Sequence, residues 1–129
     1  MRHILFSILI SSLAVLPACR ADTETQAVKV GQEAGFDACS GVGRVAINSA
    51  DGGDIDLKDA PSNDAKITDT LQDGDVLWLC EEKGEWFGVV VDESAVDCGV
   101  SSPVSAPMDY KGPCKSGWVI GKNVVPIAG

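Results

Sequence analysis

Short runs that alternate apolar and polar residues follow one another along the chain from residue 43 onward. In residues 43–48, Val45 and Ile47 fall on one face and Arg44 on the other, which is the two-residue period of a half-buried strand. Gly, Pro, Asn and Asp recur between the runs, and no window keeps a helical period. The pattern therefore predicts an all-β domain. Further strands are predicted over residues 55–58, 66–71, 117–120 and 124–127.

The clearest element is a β-hairpin between residues 76–81 and 85–91. Both runs are rich in β-branched and aromatic residues, and the short loop between them contains a glycine, as such a hairpin needs. Within the first run, Trp78 lies on one face and Leu77 and Leu79 on the other. Because large apolar side chains occur on both faces, we expect this strand to be central and covered on both sides, which is compatible with a closed barrel.

The N-terminal residues have the pattern of an export signal. A polar start is followed by an apolar run too short to span a bilayer comfortably. The run ends in Leu16-Pro17-Ala18-Cys19, which resembles a bacterial lipobox and implies acylation of Cys19. Cleavage after Ala21 is the alternative, and it would release a soluble protein. We expect residues 1–18 to be the signal peptide and residues 19–36 a flexible tether, followed by one domain over residues 37–129.

Four cysteines remain once Cys19 is set aside, an even number in an exported chain, and this number predicts two disulfides. A four-cysteine zinc site is the alternative, but such sites usually contain a closely spaced pair, whereas the intervening segments here hold 40, 17 and 15 residues. The four disulfide residues are Cys39, Cys80, Cys98 and Cys114.

Residues 92–116 form a long segment without strand signals, with Cys98 near its start and Cys114 near its end. Loops of this length are uncommon in compact domains unless they are functional or braced. A bridge between these two cysteines would close the loop, and Cys39 would then pair with Cys80. Connectivity cannot be deduced from sequence, so the other pairings stay open.

The only histidine, His3, lies within the predicted signal peptide. Without an imidazole, the remaining chain cannot build a Ser-His-Asp or Cys-His site. Paired carboxylates stay open as a catalytic alternative, although a chain of this size leaves little room for a substrate cleft. We therefore expect no catalytic residue, no cofactor and a role other than that of an enzyme.

Acidic residues dominate the charge. The chain carries 10 Lys or Arg and 19 Asp or Glu, for a net charge of −9, and removal of Arg2 with the signal peptide would make the balance more negative still. Nucleic acid is therefore a poor partner. The acidic run at residues 51, 54, 56 and 59 lacks the spacing of a calcium loop, so we expect solvated loop acids and no metal.

Four short motifs follow one another along residues 61–119: Pro61-Ser62, Gly74-Asp75, Gly84-Glu85-Trp86 and Gly117-Trp118-Val119. Leu57 precedes the first motif, and Ile67 and Leu71 lie between the first and the second. Bacterial SH3-like domains carry the same succession of signals, and the chain resembles them over residues 55–127. The resemblance implies a small, strongly bent β-barrel, for which we expect about five to seven short strands with a disulfide-braced long loop. The chain departs from the family pattern at Lys58 and Ala60, in the insertion 92–116 and in its cysteines.

The resemblance implies a binding module that recognises cell-wall peptide or glycan. Together with the export signal and the lipobox, it leads us to expect an exported module of the bacterial cell envelope, located in the periplasm or outer envelope and lipid-anchored through Cys19. A groove for such a ligand would use aromatic and acidic side chains. Trp86 and Trp118 fall on positions that usually fill the barrel, so we assign both to the core. The candidate ligand-binding residues are Trp78, Tyr110, Asp54, Asp56 and Asp59.

A second hypothesis assigns the function to the 92–116 loop. In that case the protein would be a protein-interaction or inhibitor lipoprotein, whose braced loop forms a preorganised surface for a partner protein of the envelope. An insertion without function is the simpler alternative, because loop length changes cost little free energy.

Overall fold

The computed structural model describes residue 14, residues 23–48 and residues 53–129. The predicted lipidation residue Cys19, the predicted signal peptide apart from residue 14, and Asp51 lie outside these ranges. The described residues form strands and one short 3₁₀ helix, which confirms the prediction of an all-β domain. The elements are β1 Lys29–Val30, β2 Gly41–Val45, β3 Ile55–Lys58, β4 Ile67–Leu71, β5 Val76–Lys83, β6 Trp86–Val91, β7 Met108–Asp109, β8 Ser116–Ile120, the 3₁₀ helix Gly121–Asn123 and β9 Val124–Ala128.

Seven of the strands form one antiparallel sheet in the order β4-β3-β8-β6-β5-β2-β9, and β1 pairs with β7 in a separate two-stranded sheet. The strand pairing of the large sheet ends at β4 on one side and at β9 on the other. A closed barrel, which the sequence predicted, is therefore not shown by the hydrogen-bonded ladder. Neither β1 nor β7 was predicted, because each is only two residues long and lies in a polar segment.

The predicted β5–β6 hairpin is confirmed, with Leu77 opposite Val91 and Lys83 opposite Trp86. β5 also pairs with β2, which makes it an interior strand. Leu77 is fully buried in the cluster on one side of the sheet, while Cys80 is buried in the cluster on the other side. Both faces of β5 are thus covered, as the two-sided apolar pattern predicted.

The first apolar cluster contains only aliphatic residues and lies on one face of the large sheet. Close approach of β3 and β8 at this core depends on Gly117, because a Cβ there would lie 2.6 Å from the Lys58 carbonyl oxygen and 2.8 Å from the Leu57 side chain. No larger residue fits without displacing backbone atoms. The cluster consists of Val45, Ile55, Leu57, Leu71, Leu77, Val89, Val91, Val119 and Val124.

The second cluster lies on the opposite face and joins distant parts of the chain. Trp118, with 0% of its surface exposed, lies at its centre, which agrees with its prediction as a core residue. The indole Nε1 of Trp118 donates a hydrogen bond of 2.7 Å to the Gln26 carbonyl oxygen. The cluster consists of Val28, Val30, Ala38, Cys39, Cys80, Val90, Cys98, Val100, Cys114 and Trp118.

This second cluster corrects the predicted tether over residues 19–36. Val28 and Val30 are only 2% and 4% exposed, and Val30 pairs with Met108 across β1 and β7. The tether prediction is therefore wrong for residues 26–31, and the folded domain begins before residue 37. Two isolated valines in a polar stretch gave no strand period, and they are buried by packing against residues far away in the sequence.

Both favoured disulfides are present, Cys39–Cys80 and Cys98–Cys114. The first joins the loop before β2 to the interior strand β5, and the second closes the 92–116 segment. Both bridges lie in the second apolar cluster. A domain of this size buries little apolar surface, and the bridges supply part of the stability that a larger core would give. Two disulfides are also compatible with an oxidising, exported environment.

Candidate functional site

A groove of about 820 Å³ lies at one end of the large sheet. It is bordered by the start of β3, the turn of the β5–β6 hairpin and the corner where β8 enters the 3₁₀ helix. Its apolar residues are Ile55, Trp86, Phe87 and Ile120. A concave surface with aromatic walls and polar groups at its rim is the usual form of a small-ligand or peptide site.

Two glycines shape this groove. Gly84 turns the hairpin with a φ of +57°, a conformation that other residues rarely adopt. Gly121 donates its backbone N–H to the Glu85 carbonyl oxygen at 2.7 Å, and a Cβ on Gly121 would lie 3.0 Å from that oxygen and 3.2 Å from the Phe87 ring. The corner after β8 can therefore lie directly against the hairpin, and the groove forms along this junction.

Trp86 forms one wall of the groove. It pairs with Ile120 across β6 and β8, and it is half-buried against the second apolar cluster. The Lys58 Nζ lies 5.9 Å from the centroid of the indole ring, a cation–π distance, and it donates a hydrogen bond to the Asn63 carbonyl oxygen. The sequence assigned Trp86 to the core, but it lies at the edge of the core and faces the groove.

The groove carries more negative than positive charge. Its lining includes four carboxylates and only two lysines, Lys58 and Lys122, which leaves a surplus of two negative charges. All four carboxylates are exposed, and none takes part in the three ion pairs found between described residues. The four are Asp54, Asp56, Glu82 and Glu85.

Asn123 also lines the groove. It is 5% exposed, the single buried polar residue of the described ranges. Its backbone carbonyl oxygen accepts a hydrogen bond from the Ala46 N–H at 2.9 Å, and this bond ties the corner after β8 to the chain that leaves β2.

The structure brings together two of the five predicted ligand-binding residues, Asp54 and Asp56, which both line the groove. Asp59 lies apart and has a structural role, since its carboxylate accepts hydrogen bonds from the Thr25 hydroxyl at 3.0 Å and the Lys66 N–H at 3.2 Å. This residue ties the N-terminal segment to the loop after β3.

Trp78 and Tyr110, the two aromatic candidates, both pack against the second apolar cluster, away from the groove. The Trp78 Nε1 is buried without a hydrogen-bond partner. The Tyr110 hydroxyl donates to the Cys98 carbonyl oxygen at 2.8 Å and accepts from the Cys114 N–H at 3.3 Å, and burial raises its pKa. Tyr110 therefore links the two ends of the braced loop.

The 92–116 segment forms a second surface, which includes a hollow of about 420 Å³ beside Val30, Val104 and Tyr110. An exposed ion pair of 2.7 Å joins Lys29 of β1 to Asp109 of β7. Hydrogen bonding to the Lys29 ammonium lowers the pKa of the Asp109 carboxyl, and the reciprocal contact raises the pKa of Lys29. The segment is thus held to the N-terminal strand as well as by its disulfide.

Sequence reasoning did not predict the groove residues Glu82, Glu85, Phe87 and Asn123, and it assigned Trp86 to the core. The hairpin signal did place Trp86 and Phe87 at the start of β6, next to the turn. No sequence signal could have identified Asn123, because its position depends on the corner after β8.

Among the described residues, no group of three His, Cys, Asp or Glu is placed to hold a metal ion. Within the same ranges, no helix is long and apolar enough to cross a membrane.

Comparison with known proteins gives no match: no family model matches the chain, and no curated protein or solved structure is significantly similar to it.

Proposed function

We propose that this protein is an exported, SH3-like binding module of the cell envelope that holds cell-wall peptide or glycan in the groove beside Trp86. One observation carries the proposal: a half-buried indole lines the same concave groove as four exposed carboxylates. An aromatic wall supplies contact area and polar groups at the rim supply direction, the two contributions that peptide and sugar sites combine.

The order of the structural elements supports the SH3-like part of the proposal. The turn at Gly74 has a φ of +88° and the hairpin turn at Gly84 has a φ of +57°, at the two places where the family pattern has turns. The Gly117-Trp118-Val119 motif lies in β8, directly before the 3₁₀ helix and the last strand. Export and a lipid anchor at Cys19 rest on the leader pattern, and the two disulfides are compatible with export.

Replacement of Trp86 by alanine tests the groove. We expect the purified Trp86→Ala protein to bind insoluble peptidoglycan about tenfold more weakly than wild type in a co-sedimentation assay. Loss of a central aromatic contact commonly costs about 1.4 kcal/mol of binding free energy, which corresponds to a tenfold change in affinity. The matched control is Phe36→Ala, which removes an aromatic side chain that is 61% exposed and lies outside this groove. Equal binding by wild type and Trp86→Ala would refute the groove as the site.

A second function is favoured by the rigidity of the 92–116 segment. The Cys98–Cys114 bridge, the Tyr110 hydroxyl and the β1–β7 pairing hold it, while Met108 remains 50% exposed on it. An exposed apolar residue on an ordered loop suits a protein-interaction or inhibitor role, since little conformational entropy is lost on binding.

Met108→Glu separates this second function from the first. If the loop contacts a partner, affinity purification from envelope extracts should recover a protein with wild type and with Trp86→Ala, and lose it with Met108→Glu. The charge would have to be desolvated in the interface, and that cost reduces affinity. If all three forms recovered the same proteins, the loop would not be the surface that contacts a partner. Peptidoglycan binding by Met108→Glu should match wild type.

A further inference from the structure

The N-terminal segment, residues 25–31, lies in a cleft on the second face of the large sheet, between the loop after β3 and strands β5, β7 and β8. We propose that this strand cleft is a recognition site that also takes the same segment of a second copy of the chain, so that two copies exchange their N-terminal strands. The strand cleft is separate from the groove beside Trp86, which residues 25–31 do not line.

The backbone of the N-terminal segment is bound by separate parts of the domain. Main-chain hydrogen bonds of this kind hold extended peptides in strand-recognition sites, because they do not depend on the peptide's side chains. The four bonds run from the Gln26 N–H to the Asp59 carbonyl oxygen at 2.8 Å, from Trp118 Nε1 to the Gln26 carbonyl oxygen at 2.7 Å, from the Tyr110 N–H to the Val28 carbonyl oxygen at 2.8 Å, and from the Lys29 N–H to the Glu81 carboxylate at 2.9 Å.

Alternate side chains of the segment are recognised differently. Val28 and Val30 are buried, whereas Lys29 between them is exposed and forms an ion pair of 2.7 Å with Asp109. Gly88 of β6 leaves room for Val28, because a Cβ on Gly88 would lie 3.1 Å from the Val28 side chain. Alternation between pockets and solvent is the side-chain pattern of a bound strand. The strand cleft therefore complements an apolar-Lys-apolar sequence, which residues 28–30 of every copy carry.

The linker between the N-terminal segment and β2 is exposed. Residues 32–37 are all solvent-exposed, and a hydrogen bond of 3.3 Å from the Phe36 N–H to the Glu33 carbonyl oxygen lies within them. The chain reverses here through Gly31 and Gly35, whose φ angles of +75° and +86° are rarely adopted by other residues. In this conformation the linker folds the segment onto its own domain. An extended linker would carry the segment to a second copy, as in other strand exchanges.

Exchange preserves the contacts of the strand cleft. The segment of a second copy has the same sequence, so it makes the same hydrogen bonds, ion pair and apolar contacts, and only the linker changes conformation. The balance between monomer and dimer is then set by the effective concentration of the segment within its own chain, which is roughly millimolar for a short linker. We therefore expect a monomer in dilute solution and an exchanged dimer as the protein concentration approaches that range.

Cysteine variants test the exchange. Val30 and Met108 are partners across β1 and β7, so a disulfide between Val30→Cys of one copy and Met108→Cys of another requires the segment of the first to lie in the cleft of the second. The two purified proteins are mixed in a glutathione redox buffer, at concentrations from micromolar to millimolar. We expect a disulfide-linked dimer on a non-reducing gel, with a yield that rises with concentration. The matched control is Phe36→Cys with Met108→Cys, two exposed positions that are not strand partners, which should give only a background level.

Strain in the linker should shift the balance toward the dimer. Gly35→Val places a β-branched residue at a positive φ, which is unfavourable only while the linker folds back. Relief of this strain favours the open linker by about tenfold, and two linkers open in each dimer, so the dissociation constant should fall by about 100-fold. Gly99→Val is the control, because Gly99 also has a positive φ and open space around its Cβ, but lies in a loop that exchange does not alter. Size-exclusion chromatography with light scattering measures both constants.

Three outcomes would overturn the proposal. The first is a Val30–Met108 cross-link no stronger than the Phe36–Met108 control, with all proteins folded by circular dichroism. The second is a Gly35→Val protein that dimerises no more than Gly99→Val. The third is a cross-link that an excess of synthetic peptide of residues 23–31 leaves unchanged, since this would assign it to another contact between copies. Inhibition of the cross-link by that peptide is the result we expect.

Discussion

Replacing Trp118 by alanine is expected to lower the free energy of unfolding by about 3–5 kcal/mol. The indole is fully buried and packs with both disulfides, Val28 and Val100 in the second apolar cluster. Its removal would leave a large cavity, because the surrounding chain is tied down by the two bridges and cannot collapse into the space. The Gln26 carbonyl oxygen would also lose its hydrogen bond from Trp118 Nε1.

Urea unfolding followed by far-ultraviolet circular dichroism measures this effect. Trp118→Phe is the matched variant, since it retains much of the aromatic volume while removing the Nε1–H, and it should cost less than Trp118→Ala. Trp86→Ala, at the edge of the same cluster, should cost less as well, because Trp86 is only half-buried. If Trp118→Ala were no less stable than Trp86→Ala, the second cluster would not be a core.

Local sequence patterns predicted the strands of the large sheet because these strands are short and the segments that connect them contain turn residues. The β5–β6 hairpin is the clearest example, since its pairing requires only a loop with Gly84. The prediction of β2 was less accurate, because the strand was expected over residues 43–48 but spans Gly41–Val45. Gly41 carries no strand signal, and the chain leaves the ladder after Val45, where the Ile47 N–H donates instead to the Asp73 carboxylate at 2.8 Å.

Long-range packing explains what the sequence did not predict. Val28 and Val30 are buried in a cluster that also contains residues of β5, β6, β8 and the 92–116 segment, all far away in sequence. Trp78 and Tyr110 were candidate ligand contacts because both are aromatic, but neither lines the groove. Aromatic residue type alone does not tell a binding surface from a core.

The candidate site was predicted only in part, because its residues come together through long-range pairing. Asp54 and Asp56 were predicted because they belong to an acidic stretch, which is local information. Their meeting with Trp86 and Asn123 depends on the pairing of β3 with β8 and of β8 with β6. Those pairings join strands that are not consecutive in the chain, and no local pattern predicts them.

Removing the Cys39–Cys80 bridge by replacing both cysteines with alanine is expected to destabilise the domain by about 4 kcal/mol, and removing Cys98–Cys114 by about 3 kcal/mol, on the chain-entropy estimate. The order follows from loop length, because the first bridge joins residues 41 apart and the second joins residues 16 apart. A longer loop leaves the unfolded chain more conformations to lose. Urea unfolding of the two double variants and of wild type measures the difference.

The two bridges lie in one apolar cluster, so their removals should not be additive. With both bridges absent, Trp118, Val28 and Val100 would lose the covalent links that hold their segments together, and a domain of this size has little other core to compensate. We expect the four-alanine variant, or wild type after reduction, to be largely unfolded at 37 °C by circular dichroism. A reduced protein that kept native β-structure and cooperative unfolding would contradict this expectation, and it would mean that apolar packing of the large sheet alone stabilises the fold.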